Sequence, residues 1–138
     1  MRVFVDTNVL VYLFDSDAPA KQVRAREVIG KLARDRRLVL SSQVLSELYV
    51  TLTRKLAEPL QPEDALRALD DLTAFPVIAL DAPLVRRAAA RSAEECISHW
   101  DALILEAALD AGAAIVYSED LHPGRSYHGV TVENPFAA

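Results

Sequence analysis

Short apolar runs alternate with longer stretches of helical periodicity along the whole chain. This pattern predicts an α/β fold with a mostly parallel sheet of about five strands flanked by helices. Two further observations support that class. The opening run Val3-Phe4-Val5 is apolar at consecutive positions, as in a strand buried on both faces. No repeat, linker or low-complexity segment divides the chain, so residues 1–138 read as one domain, long enough to bury a core.

The first strand stops at Asp6-Thr7-Asn8, and Val9 to Phe14 reads as a short helix. Open α/β sheets keep their ligands outside the carboxyl ends of the strands, which is where Asp6 falls. The plainer role for Asp6 is the N-cap of the helix that follows. Breaker residues make Asp15-Ser16-Asp17-Ala18-Pro19 a loop. From Ala20 to Asp35, Val23, Val28, Ile29 and Leu32 recur at helical spacing among Lys21, Arg24, Arg26, Lys31 and Arg34. Solvation alone would explain that basic face. Arg37 to Leu40 is a second strand. Ser41 or Ser42 then caps a helix to about Ala57, with Val44, Leu45, Leu48, Leu52 and Leu56 on one face.

Pro59 and Pro62 break the chain before an amphipathic helix, Glu63 to Phe75, that carries Leu66, Leu69 and Leu72. Val77 to Leu80 is a third strand, and Asp81 caps a helix through Leu84, Val85, Ala88 and Ala89 that ends near Cys96. Ser98 opens the next helix, with Trp100, Ile104, Ala107 and Ala108 expected to face inward and Gly112 to end it. Ala114 to Tyr117 is a fourth strand, His122 to Gly129 a turn-rich loop, and Val130 to Val132 the last strand.

A composition of 51% hydrophobic and 25% charged residues is ordinary for a soluble globular protein. No apolar span approaches the ~20 residues that cross a bilayer, so no membrane association is expected. Asp6 interrupts the apolar stretch at the start, which argues against a signal peptide. Cys96 is the single cysteine and has no internal partner, which fits a reducing cytoplasm. The net charge of −5 and pI near 5.1 argue against coating nucleic acid through bulk charge. An enzyme acting on nucleic acid through a local basic patch is not excluded.

Four carboxylates stand out by position. Asp6 ends the first strand, and Asp120 lies just past the fourth; if both strands are central and parallel, the two emerge at one edge. Glu47 sits at the margin of the stripe made by Val44, Leu48 and Leu52, and Asp101 shares a helix face with Ile104, Leu105 and Ala108. An acid on an apolar stripe is costly unless paired or metal-bound. Each has a plain alternative: Ser98 and Asp101 have capping-box spacing, Glu47 can pair with Arg54 or Lys55, and Asp120 suits an Asx turn. Together they are harder to explain away. Clustered carboxylates repel, a divalent cation relieves the repulsion, and an all-oxygen set points to Mg²⁺ or Mn²⁺. His99, His122 and His128 lack zinc spacing and read as surface or turn residues.

In this arrangement the chain resembles the PIN-domain ribonucleases, and among them the VapC toxins of toxin–antitoxin pairs. The matching segments are Val-Phe-Val-Asp6-Thr7-Asn8, Ser46-Glu47-Leu48, Trp100-Asp101-Ala102, Val116-Tyr117-Ser118-Glu119-Asp120-Leu121 and Val132-Glu133-Asn134-Pro135-Phe136. They run in order from Arg2 to Phe136. Ser118 stands where the family often has Thr, and the Ser-x-Asp spacing favours Asp120 over Glu119 as the fourth acid. The resemblance implies a PIN-like three-layer fold and a Mg²⁺- or Mn²⁺-dependent endoribonuclease that cleaves tRNA or rRNA. It implies a site and metal ligands made of Asp6, Glu47, Asp101 and Asp120, with Thr7, Asn8 and Ser118 orienting them. A homodimer and an inhibitory cognate antitoxin are implied as well. Lys21, Arg24, Arg36, Arg37, Arg54 and Lys55 are the candidate RNA contacts.

Three rival readings stand beside this one. A housekeeping RNA-processing nuclease would share the fold and metal but lack an antitoxin. An aspartyl phosphatase of haloacid-dehalogenase type also opens on an apolar strand ending in Asp, but carries a second Asp two residues on, where this chain has Asn8. A non-catalytic interaction module would use the same acids only as helix caps.

Overall fold

A computed structural model describes residues 1–121, 126–127 and 129–137 of the chain. The opening run forms β1 (Arg2–Val5), with Val3, Phe4 and Val5 fully buried. Successive strand residues point to opposite faces, so this run is covered on both sides of the sheet. β2 (Leu38–Ser41) is buried at every position in the same way. β3 (Val77–Ile78), β4 (Ala113–Tyr117), β5 (Ser126–Tyr127) and β6 (Val130–Glu133) complete one sheet of order β3-β2-β1-β4-β6-β5. Every pairing is parallel except β5 with β6. From β1 the chain goes to β2 on one side, while β4 returns on the other. The crevice beyond the ends of β1 and β4 is therefore the topological switch point.

Among the described residues the sheet has six strands, one more than the five strand runs read from the sequence. The extra one, β5, falls inside the stretch read as a loop, where two residues carry no periodicity of their own. Ser126 is held opposite Thr131 and Tyr127 opposite Val130 by the β6 ladder, and Tyr127 is buried. His122 and His128 lie outside the described residues.

α1 (Thr7–Val11) leaves β1 directly and buries Val9 and Leu10. It stops short of the expected end because Leu13 and Phe14 turn back on the Leu10 and Val11 carbonyls. α2 (Pro19–Arg34) buries Ala25, Ile29 and Leu32, whereas Val23 is exposed despite its place in the pattern. α3 (Ser42–Val50) is capped by Ser41 Oγ, which accepts from the Val44 N–H at 3.4 Å. It widens into a π-helical turn, Thr51–Lys55, closed by the Leu56 N–H on the Thr51 carbonyl at 3.2 Å. Such turns disturb the regular ladder and recur at functional sites.

α4 (Pro62–Leu72) buries Ala65, Ala68 and Leu72 and leaves Leu66 exposed. α5 (Ala82–Glu95) begins at the Asp81 cap and ends at exposed Cys96, whose backbone is left-handed with φ 54°. α6 (His99–Asp110) is the core helix: every residue from Ala102 to Ala108 is buried. Trp100 corrects the sequence expectation. It sits in the first turn, before the buried stretch begins, and is 65% exposed.

Candidate active site

Parallel pairing sets Val5 opposite Tyr117, and the Asp6 N–H donates to the Tyr117 carbonyl at 2.9 Å. Asp6 and Ser118 therefore leave the sheet side by side, as their positions at two strand ends require. Asp6 caps α1 and also stands between the two strand ends. Its Oδ1 accepts the Thr7 N–H at 2.7 Å, capping α1, while Oδ2 accepts from Ser118 Oγ at 2.9 Å and Asn8 Nδ2 at 3.3 Å. Only 8% of Asp6 is exposed, and among the described residues no Lys or Arg pairs with it. Burial pushes its carboxyl from the ordinary 3.8 up to about 6; the Ser118 and Thr7 hydrogen bonds oppose the rise, and the Glu47 and Asp120 charges add to it.

Ser118 is fully buried and organises the turn after β4, accepting the Asp120 and Leu121 N–H groups on Oγ at 3.2 Å each. Asn8 links the two strand ends. Its Nδ2 lies 3.3 Å from Ser118 Oγ and 3.2 Å from Asp120 Oδ2, and its Oδ1 accepts the Glu119 N–H at 3.0 Å. Two amide hydrogens thus serve three acceptors, counting Asp6, and hold Asp6 and Asp120 within reach of one donor.

Glu119 and Asp120 are sorted by their surroundings. Glu119 forms an ion pair with Lys21 and accepts from Tyr12 Oη at 2.7 Å. Partial burial works against ionisation there, but the hydrogen bonds from Lys21 and Tyr12 hold its carboxyl below the ordinary value. Lys21 also lies over the Tyr12 ring, 4.9 Å from its centroid. Asp120 carries no such cation among the described residues and faces Asn8 instead.

Glu47 projects from α3 into the same space. Its Oε2 accepts from Thr7 Oγ1 at 3.0 Å and its Oε1 from Gln43 Nε2 at 2.8 Å. Gln43 Nε2 also donates to the Trp100 carbonyl at 3.3 Å, tying α3 to the start of α6. Gln43 stands four residues before Glu47, the spacing of helix neighbours, and that spacing was the available sequence signal for it. At Asp101 the capping-box expectation is half met: Ser98 Oγ accepts the Asp101 N–H at 3.0 Å. No bond returns from the Asp101 carboxylate to Ser98 among the described residues, and that carboxylate lines the cleft.

Asp6, Glu47, Asp101 and Asp120 thus line one open cleft of about 410 Å³, whose rim includes Tyr12 and Trp100. The donor set is all oxygen and fits a hard divalent ion in kind. As the side chains stand, no three of them already share one ion position among the described residues. Thr7, Asn8 and Ser118 hydrogen-bond to these carboxylates.

The candidate RNA contacts do not form one surface. Lys21 is at the cleft margin, engaged by Glu119. Arg24 and Arg37 bond the Pro135 and Met1 carbonyls and line a separate basic hollow of about 580 Å³ with Lys31 and Arg34. Arg36 lines a third hollow beside Phe75. Arg54 and Lys55 are exposed on the π-helical turn, and Lys55 borders a hollow that also reaches Glu47.

A sequence profile of the PIN domain matches residues 3–125. No curated protein matches in sequence. Among solved structures, the chain is similar to one from a toxin–antitoxin complex of Klebsiella pneumoniae, with 20% identity, TM-score 0.72 and all of both chains covered. It is also similar to VapC20 of Mycobacterium tuberculosis, a toxin that cleaves the sarcin-ricin loop, with 22% identity and TM-score 0.60 over 86% of this chain and 89% of that one. A chain of VapBC2 from Rickettsia felis, bound to a fragment of its promoter DNA, gives 19% identity and TM-score 0.67 over 97% of this chain and 98% of that one.

Proposed function

The chain belongs to the PIN-domain family, and on that footing we propose that it is a Mg²⁺- or Mn²⁺-dependent endoribonuclease toxin held in check by a cognate antitoxin. One observation carries the nuclease reading: four carboxylates line a single cleft at the switch point of the sheet, and none of the four is paired with a Lys or Arg among the described residues. Asp6, Glu47, Asp101 and Asp120 would hold the ion. When bound, it supplies Lewis acidity, screening the phosphodiester charge and making water a better nucleophile.

The remaining work falls to the chain. Ser118 keeps its hydroxyl proton on Asp6 Oδ2, so Asp6 is oriented without being neutralised by a neighbour. Thr7 and Gln43 fix the two oxygens of Glu47 from opposite sides. Asn8 sets the spacing of Asp6 and Asp120. Groups of this kind behind metal ligands typically govern affinity or activity by ~10–100-fold.

The antitoxin and the RNA class are proposed by analogy with the toxin–antitoxin and sarcin-ricin-cleaving structures; a homodimer is proposed from the family resemblance. No helix among the described residues is long and apolar enough to cross a membrane, and a cytoplasmic site of action is part of the proposal. The phosphatase alternative is disfavoured by Asn8, whose amide donates to Asp6 where an acid/base carboxyl would be needed. The test is cleavage of end-labelled RNA by purified protein with Mg²⁺, Mn²⁺ or EDTA. Cutting that stops with EDTA is expected; undiminished cutting in EDTA by nuclease-free protein overturns the mechanism.

A further inference from the structure

Trp100 is the largest exposed apolar side chain and the only tryptophan of the chain, and it stands on the rim of the carboxylate cleft. We propose that Trp100 is a stacking platform for an unpaired nucleobase of the RNA strand, seated so that the adjoining phosphodiester enters the cleft. This rests on the nuclease reading above.

The local geometry is that of a fixed platform. The Trp100 carbonyl is held by Gln43 Nε2, the same nitrogen that fixes Glu47, so the Trp100 backbone and the candidate ligand share one anchor. His99 packs against the indole edge to face, with centroids 5.7 Å apart and planes at 65°. Ile104, one helical turn on, is buried and lines the cleft beneath it. Trp100 as a whole is 65% exposed.

Charge selects the occupant. An acidic cleft in a chain of net charge −5 repels bare phosphates, whereas contact with a π-face is independent of the backbone charge. Stacking on aromatic side chains is how unpaired bases are held, and it works for any base. The fully buried core of a protein–protein interface is depleted of charged residues. Here Glu47, Gln43 and Asp101 line the cleft beside Trp100, together with Ile104.

Because no other tryptophan is present, indole emission reports this position alone. The experiment titrates the full chain with a single-stranded RNA decamer in Ca²⁺, with intactness checked on a gel, and with an abasic decamer and an RNA duplex as controls. The unpaired RNA is expected to quench emission, and the other two to leave it nearly unchanged. By anisotropy of labelled RNA, Trp100→Ala should bind about 5- to 150-fold more weakly, the range for loss of one stacked base. Trp100→Phe, which keeps a π-face, should recover most of that. Equal binding of the abasic strand, or wild-type affinity in Trp100→Ala, overturns the platform while Mg²⁺-dependent cleavage still supports the nuclease. Quenching by unpaired RNA without any cleavage in Mg²⁺ supports the platform and removes the nuclease reading. A blue shift with rising protein concentration and no RNA means that a second copy covers the ring, and overturns the proposal.

Discussion

Two carboxylates of nearly equal burial are treated in opposite ways on the two sides of this molecule. Glu106 of α6 is 7% exposed and lies between two arginines. Its Oε1 accepts from Arg87 Nε at 3.2 Å, and its Oε2 from Arg91 Nε at 3.1 Å and Nη2 at 3.0 Å. Arg87 continues to Asp110 and Arg91 to Glu95. That network joins α5 to α6. Asp6 is 8% exposed and, among the described residues, receives only dipoles, from Thr7, Asn8 and Ser118. The difference teaches how to separate a structural acid from a functional one. A buried charge with its countercharge in the chain serves the fold; one supplied with orientation but no countercharge suits a ligand to an ion, the role proposed above for Asp6.

The largest expected effect comes from breaking the second arrangement. Asp6→Asn should lower RNA cleavage by more than ~100-fold, above the usual effect of groups behind the ligands, while circular dichroism shows an intact fold. Breaking the first should do the reverse. Arg91→Ala should destabilise toward the low end of roughly 3–5 kcal/mol, because Arg87 still reaches Glu106, and should leave cleavage per folded molecule unchanged. Urea titrations with parallel assays would read both.

The pH dependence sharpens the contrast. The folded carboxyl of Asp6 lies near 6, above its ordinary 3.8, so the folded chain holds this proton more tightly than the unfolded one. The resulting stability is full below pH ~4 and is lost as pH rises through about 6, amounting to about 3 kcal/mol. Metal-free melting curves should show this loss in the wild type and not in Asp6→Asn. Mg²⁺ at ~100 times its Kd should return ~2.7 kcal/mol to the wild type at neutral pH, with a much smaller increment in Asp6→Asn. The smallest effect is expected at Lys21→Gln. Its pair with Glu119 is partly exposed, with the lysine side chain 42% accessible, so less than ~1 kcal/mol should be lost.

Much of this arrangement was legible from residue order. Three consecutive apolar residues ending in Asp6 require a doubly covered strand, and a second such run before Ser118 requires a partner for it. The sheet then sets the ends of both runs together. Elements that depend on tertiary context were not legible. β5 is two residues long and exists only because β6 pairs with it. Trp100 fits the apolar periodicity of α6, yet periodicity gives an angle around the helix axis and not how far the core extends along it. The Ser-x-Asp spacing favours Asp120 over Glu119, but the partners that engage Glu119, Lys21 and Tyr12, come from elsewhere in the fold. The basic residues taken as one RNA-binding group spread over several hollows, since helical spacing says nothing of which hollow each side chain borders.

The Ser118–Asp6 hydrogen bond also has a consequence in time. It spans 112 positions of sequence, and β1 meets β4 only after most of the chain between them has been made. At ribosomal rates of ~5–20 residues per second, the interval from Asp6 to Ser118 lasts roughly 6 to 20 s. During that interval the nascent chain carries Asp6 and, later, Glu47 and Asp101, but no assembled cleft. Closure across a separation of this size is among the slow, non-local events of folding. The carboxylates therefore come together only when the segment bearing Ser118 and Asp120 docks beside β1.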